Sequence, residues 1–171
     1  MESKAKLLGH PIHPMLIVFP LGLLATAVVF DLVALSTSDS SWFGVSFRMI
    51  AAGILGGLLA AVFGFIDWWA IPSNTRAKRI GLWHGLGNVI VVLLFAASWF
   101  FRRPAPTAPS SGALTLSYIA VLLALGTGWL GGELVDRLGV GVDRGAHLDA
   151  PSSLSGRTAR ETPPSETQRA A

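Results

Sequence analysis

Four long apolar stretches, separated by short polar connections, dominate the pattern of this chain. They cover residues 15–35, 47–66, 84–101 and 114–134. Each has the length that an α-helix, rising about 1.5 Å per residue, needs to cross the hydrocarbon core of a bilayer. Tryptophans lie near the ends of these stretches, where indoles favour the membrane interface. The pattern predicts an all-α fold, a transmembrane four-helix bundle.

The amino-acid composition also indicates that much of the chain lies in lipid. Charged residues make up 13% of the chain and hydrophobic residues 51%, whereas soluble domains carry about 25% charged residues. The chain has no cysteine, which excludes disulfides and thiolate metal sites. The net charge of +3 comes from bases scattered among loops, not from a basic stripe, so nucleic acid is not an expected partner.

The distribution of lysine and arginine predicts the topology. The N-terminus, the loop at 67–83 and the C-terminal region carry most of these residues, and the two loops on the other side carry only Arg48, Arg102 and Arg103. The bias places both termini in the cytoplasm of a multi-pass bacterial inner-membrane protein. Residues 1–149 form the predicted transmembrane domain, and residues 150–171, rich in Pro, Ser, Thr and charge, a disordered cytoplasmic tail.

Small residues and charges suggest how the helices pack. Small residues recur at four-residue spacing on the second and fourth helices: Gly56, Ala60 and Gly64, then Ala124, Gly128 and Gly132. Such strips allow close packing of a helix, a second copy of the chain or a flat cofactor. Asp31 and Arg48 fall at similar depth, which predicts an ion pair between them.

A weak internal repeat relates the two halves. The run from Ala5 to Gly9 leads to His13 and the first helix, and the run from Ala77 to Gly81 leads to His84 and the third helix. Each of these helices is followed by a glycine-rich helix that ends in an acidic residue. The pattern predicts a duplicated helical hairpin whose halves have the same orientation in the membrane.

The repeat brings four ionisable residues to one end of the bundle: His13, His84, Asp67 and Glu133. Helix dipoles disfavour the charged form of each, so we expect histidine–carboxylate hydrogen bonds, a metal ion or a haem iron to compensate. Asn88, one turn beyond His84, should point inward. His10 and His13 both precede proline and lie too far apart in an extended segment to bind one ion directly, so one of them is a bystander or supports the ligand, and His13 is the favoured ligand. The candidate cofactor-binding residues are therefore His13, His84, His10 and Asn88, and the candidate metal ligands are His13, His84, Asp67 and Glu133.

Several motifs resemble those of a known bacterial membrane family. They are Gly9-His10-Pro11-Ile12-His13-Pro14, Phe19-Pro20-Leu21-Gly22, Asp67-Trp68-Trp69 with Trp83-His84-Gly85, Gly131-Gly132-Glu133-Leu134-Val135 and Gly139-Val140-Gly141-Val142. The family is a domain of unknown function, number twenty-two thirty-one. The resemblance covers about residues 5–155 and implies a four-helix inner-membrane protein without an established activity. Similar proteins are sometimes joined to, or sit beside, Rieske-type iron–sulfur proteins, which implies electron transfer with a separate redox partner.

Three functional hypotheses follow. The first is a b-type haem or redox subunit, with His13 and His84 as axial ligands and Lys6, Arg76, Lys78 and Arg79 near the haem propionates. The second is a non-catalytic membrane scaffold or partner subunit, in which the polar residues fix the bundle or a homo-oligomer. The third is a proton or metal-ion transporter. No phosphate-binding loop, zinc-protease helix or nucleophile motif is present, so catalysis by the chain alone is not indicated.

The segment 139–149 has no clear role in the sequence. We expect it to fold back under the bundle and bring His147 and Asp149 near the polar cluster.

Overall fold

A computed structural model describes residues 1–162 of the chain. Its four long helices are α1 (Ile12–Thr37), α2 (Ser41–Ala70), α3 (Arg76–Arg102) and α4 (Ser111–Gly132), and a π-helical turn, Glu133–Arg137, continues α4. Each helix is long and apolar enough to cross a membrane. The prediction of an all-α transmembrane four-helix bundle is confirmed.

The helices extend beyond the predicted apolar stretches. Helix α2 begins at Ser41 and not at residue 47, and α3 begins at Arg76 and not at residue 84. Hydrophobicity marks only the part of a helix that lies in hydrocarbon, and polar turns continue the same hydrogen-bond ladder into the headgroup region. The start of α3 is fixed by Thr75, whose side chain accepts a hydrogen bond of 3.1 Å from the backbone N–H of Lys78.

A short antiparallel hairpin precedes α1. Strands β1 (Lys6–Leu7) and β2 (His10–Pro11) pair with Lys6 opposite Pro11 and Leu7 opposite His10. Leu8 and Gly9 form the turn with φ of 51° and 85°, the left-handed backbone that two-residue hairpin turns require.

The bundle consists of two helical hairpins, α1–α2 and α3–α4, packed side by side. Its apolar core contains Leu24, Ala27, Val28, Ile50, Val91, Phe95 and Ala120. We call the end where α1 and α3 begin the histidine end, and the end where they finish the arginine end. Large apolar side chains cover the outside of the helices, as expected of a surface in contact with lipid.

The two glycine strips differ in what they pack against. On α2, a Cβ on Gly56 would lie 3.3 Å from Pro20, and Gly64 lies directly against His13. On α4, Gly128 and Gly132 have no described neighbour within 4 Å, and the adjacent Gly131 contacts His84 instead. The predicted contact face of α4 is therefore wrong by one residue at this end, because a small-residue spacing alone does not fix helix rotation.

A buried ion pair closes the arginine end. Arg102 and Asp31 are completely buried, and the two guanidinium Nη atoms each donate a hydrogen bond of 2.7 Å to one carboxylate oxygen. The same guanidinium donates to the hydroxyls of three serines, Ser46, Ser98 and Ser117.

The predicted Asp31–Arg48 pair is wrong. Arg48 donates to the carbonyl oxygen of Gly44 in its own helix, at 3.1 Å. The rise per residue predicts how deep a side chain lies in the membrane but not the direction in which it points. Arg102 is the basic residue that faces the interior at the depth of Asp31.

The polar residues of the two helical hairpins occupy equivalent positions. His13 and His84 are 71 residues apart, as are Asp31 and Arg102. Each pair therefore joins equivalent positions of α1 and α3, as expected near an axis that relates two copies of one hairpin. Within each helix 18 residues separate the two positions, which puts the polar layers about 27 Å apart along the bundle.

The chain after α4 folds onto the N-terminal segment. The N–H of Gly141 donates to the carbonyl oxygen of Met1 at 2.8 Å, and Lys6 pairs with Asp143. This hydrogen bond raises the pKa of Lys6 above its ordinary value. The segment thus folds back as expected. His147 and Asp149 are exposed, and the backbone N–H of Asp149 donates to the Nδ1 atom of His147 at 3.3 Å, so their predicted place near the polar cluster stays a prediction.

The predicted disordered tail lies partly within the described residues. Residues 150–162 form turns and a 3₁₀-helix at Ser153–Ser155, whose first residue lies 3.3 Å from the Nε2 atom of His10. Residues 163–171 lie outside the described residues, so disorder of the tail stays a prediction.

Candidate functional site

Two histidines meet at the histidine end. Their ring centroids are 6.4 Å apart, and the ring planes are nearly perpendicular, at 88°. His13 is the second residue of α1 and His84 the ninth residue of α3. Both side chains are half-buried. The sequence brings them together because they occupy equivalent positions of two hairpins that pack side by side.

Each histidine is anchored to a carbonyl of its own hairpin partner. The Nδ1 atom of His13 lies 2.9 Å from the carbonyl oxygen of Ala60, and that of His84 lies 2.8 Å from the carbonyl oxygen of Thr127. A carbonyl oxygen can only accept, so each Nδ1 must carry the proton. In a neutral imidazole the Nε2 atom then keeps its lone pair. Metal-binding histidines commonly have this arrangement, because the Nδ1–H bond fixes both ring orientation and tautomer.

A glycine one turn beyond each carbonyl makes room for the ring. A Cβ on Gly64 would lie 2.9 Å from the His13 ring, and one on Gly131 would lie 3.1 Å from the His84 ring. Contacts this close are tighter than normal packing allows, so alanine at either position would push the imidazole away. The glycines are therefore part of what positions the pair.

Polar side chains surround His84 alone. Asn88 donates a hydrogen bond of 2.8 Å to the carbonyl oxygen of His84, and its Nδ2 atom lies 3.4 Å from both ring nitrogens. The hydroxyl of Thr127 donates to the Asn88 carbonyl oxygen at 3.1 Å. Asn88 points inward, as expected, and its side-chain amide contacts His84 and Thr127.

The two acidic candidates do not join the histidines. Asp67 accepts hydrogen bonds from the Ser3 hydroxyl and from the backbone N–H of Lys4, at 2.8 and 2.7 Å. Glu133 pairs with Arg76 at 2.5 Å. In each half, the carboxylate at the end of the second helix, α2 or α4, bonds to residues at or just before the start of the first helix, α1 or α3. The predicted histidine–carboxylate hydrogen bonds are wrong, since backbone carbonyls take their place.

Within residues 1–162 no three His, Cys, Asp or Glu side chains are grouped closely enough to hold a metal ion. His10 lies outside the site, beside Ser153. Three of the four cations assigned to haem propionates have other partners: Lys6 pairs with Glu2 and Asp143, Arg76 with Glu133, and Lys78 donates to the Trp68 carbonyl oxygen at 2.8 Å.

A family model described as predicted membrane protein (DUF2231) matches residues 9–144, most of the chain. The chain belongs to this family. No curated protein and no solved structure matches it.

The family match contains the whole site and the buried ion pair, but its description assigns no activity. Function must therefore be argued from the site. The residues that sequence reasoning missed are Ala60 and Thr127, whose carbonyls anchor the rings. The available signal was the glycine four residues after each of them, Gly64 and Gly131.

Proposed function

We propose that this protein is a membrane redox subunit that holds a haem b between His13 and His84. The observation that carries the proposal is the pair of imidazoles whose Nδ1 atoms are committed to backbone carbonyls and whose ring centroids lie 6.4 Å apart. Two imidazoles whose orientations are fixed through Nδ1 form a preorganised two-ligand site.

The separation of the rings is compatible with one metal ion bound by both histidines. With metal–nitrogen bonds of about 2.0 Å, the centroids of two imidazoles on one metal lie about 5 to 6.3 Å apart, and the observed separation is 6.4 Å. A haem iron would take both side chains as ligands, since its other four donors are its own nitrogens.

The number of protein ligands supports the same choice. A structural zinc ion needs four protein ligands and a catalytic one three, and the described residues offer two histidines without a third acidic, histidine or cysteine neighbour. A haem needs no more than two. Its role would be electron transfer, since both axial positions are filled by protein.

The core argues against the transporter hypothesis. Between the histidine end and the arginine end the interior is apolar, with Val28, Ile50, Val91 and Phe95 all buried. An ion path needs polar or ionisable groups along the span, and these residues supply none.

The proposal includes a location and a partner. The lysine and arginine bias puts the histidine end at the cytoplasmic face of a bacterial inner membrane. The partner would be a separate redox protein there, because this chain has no cysteine to ligate an iron–sulfur cluster.

The test is the optical spectrum of the protein purified in detergent, before and after addition of haem, in oxidised and reduced form. We expect one haem per chain with the sharp reduced bands of a low-spin six-coordinate haem. The double variant His13→Ala/His84→Ala should lose these bands, and His10→Ala, outside the site, should keep them. Absence of haem uptake by the wild-type protein would refute the proposal and leave the scaffold hypothesis.

A further inference from the structure

A cavity lies outside the histidine site, where the loop after α2 meets the start of α3. It is shallow, has a volume of about 410 Å³, and is lined by polar and apolar side chains: Trp68, Asn74, Thr75, Lys78, Arg79 and Leu82. Lys78 and Arg79 lie four and three positions before Leu82, so these three residues share one face of α3. The cavity is therefore one surface with a polar part and an apolar part.

The cavity carries positive charge and has no acidic lining residue. The sequence has no Asp or Glu between residues 68 and 132. The salt bridges among residues 1–162 include neither Lys78 nor Arg79, whereas the nearby Arg76 pairs with Glu133. The partial positive charge at the start of α3 adds to that of the two side chains. An anion is therefore the favoured occupant.

Contacts between the loop and α3 hold the cavity wall in place. The Nζ atom of Lys78 donates hydrogen bonds of 2.8 and 3.2 Å to the carbonyl oxygens of Trp68 and Trp69, and the indole N–H of Trp68 donates to the carbonyl oxygen of Lys78 at 3.1 Å. Gly81 makes room for this indole, since a Cβ there would lie 2.7 Å from it. An ammonium has three N–H donors, so Lys78 keeps one for a ligand. Arg79 is exposed, and a guanidinium can bind a phosphate through two parallel hydrogen bonds.

The position of the cavity favours a lipid as the source of the anion. On α2 and α3, large exposed apolar side chains extend to Trp69 and Leu82 at this end, and Asn74 and Thr75 lie beyond them, in the loop and at its end. The cavity thus crosses from the hydrocarbon level to the headgroup level, where indoles favour the boundary. A phospholipid has the same order, a phosphate next to an acyl region, whereas a soluble phosphate would use only the polar part.

We propose that this cavity binds the phosphate group of an anionic phospholipid from the adjoining leaflet. Arg79 and Lys78 contact the phosphate, and Trp68 and Leu82 contact the lipid where its acyl chains begin. Basic pockets between transmembrane helices recognise anionic headgroups by the same chemistry. The cavity is separate from the histidine pair, so the inference does not depend on a haem.

The test uses the full chain in micelles of a neutral detergent, titrated with a short-chain phosphatidylglycerol. Binding is followed by native mass spectrometry and by the NMR resonance of the Trp68 indole N–H, which belongs to the cavity wall. We expect one retained lipid per chain and a saturable shift of that resonance. Phosphatidylcholine of the same chain length and inorganic phosphate should bind roughly tenfold more weakly, because the first lacks net charge and the second lacks the apolar part.

Two variants locate the binding. Arg79→Gln should weaken phosphatidylglycerol binding roughly tenfold, since it removes charge-assisted hydrogen bonds to the phosphate. Arg137→Gln is the matched control, an exposed arginine at the same end of the bundle and outside the cavity, and it should change the affinity less than about twofold. Both variants should keep the helix content of the wild type, because both side chains are exposed.

Three results would overturn the inference. Equal weakening by Arg79→Gln and Arg137→Gln would assign the binding to general surface charge. Phosphatidylcholine that binds as tightly as phosphatidylglycerol would show that the phosphate is not read through its charge. Inorganic phosphate that shifts the Trp68 resonance with the same affinity as the lipid would make a soluble phosphate compound, and not a lipid, the ligand.

Discussion

The buried ion pair at the arginine end gives the sharpest stability prediction. Arg102→Met removes a guanidinium that makes five hydrogen bonds, two to Asp31 and three to serines. Both charged side chains have no exposed surface. Removing one partner of such a pair leaves a buried, uncompensated charge, which costs about 3–5 kcal/mol. We expect the free energy of unfolding to fall by that amount.

The serine bonds alone would not produce this loss. Hydrogen bonds between transmembrane helices average about 0.6 kcal/mol each, so the three serine contacts together account for about 2 kcal/mol. The remainder comes from the unpaired carboxylate of Asp31. The double variant Asp31→Asn/Arg102→Met should therefore be more stable than Arg102→Met alone, because it leaves no charge behind.

The assay is unfolding in mixed micelles as the fraction of denaturing detergent rises, followed by helix content. Arg48→Met is the matched control, an arginine at the same end whose described hydrogen bond is to its own helix. We expect it to change stability by less than about 0.5 kcal/mol. The reasoning is refuted if Arg102→Met costs no more than Arg48→Met, or if the double variant is less stable than Arg102→Met.

Three further predictions concern the histidine end. Gly131→Ala should displace the His84 ring, since its Cβ would lie 3.1 Å from that ring, and thus weaken haem binding; Gly132→Ala, with open space around it, is the control in the same titration. Asp67→Ala should speed amide hydrogen exchange of the N-terminal segment, because the hydroxyl of Ser3 and the backbone N–H of Lys4 lose their acceptor, at about 1 kcal/mol per hydrogen bond; unchanged exchange would contradict this. Asp143→Asn should lower the pKa of Lys6, whose raised value comes from that hydrogen bond, in an NMR titration. In the wild type this contact should persist at neutral pH and weaken only as pH rises through the raised pKa.

The overall fold was predictable because one strong signal fixes it. Lipid imposes helical structure on every spanning segment, so four apolar stretches are enough to give the bundle. The meeting of His13 with His84 was predictable for a related reason, since a repeat of the hairpin places equivalent residues near a common axis.

The partners of the polar groups were not predictable from spacing. Depth along a helix follows from the rise per residue, but the direction of a side chain depends on helix rotation, which tertiary packing sets. This is why Asp31 was assigned to Arg48 and not to Arg102. Every residue has a backbone carbonyl, and only the glycine one turn later marked those of Ala60 and Thr127, so these acceptors were missed and Asp67 and Glu133 were expected in their place.

The most direct test of the central claim, that one metal lies between both imidazoles, is the electron paramagnetic resonance spectrum of the haem-loaded ferric protein. The rings are nearly perpendicular, at 88°, and perpendicular axial imidazoles give a strongly anisotropic low-spin signal. We expect that signal from the wild type and its loss in His84→Ala. A high-spin signal, or a low-spin signal that survives in the double variant His13→Ala/His84→Ala, would contradict the claim.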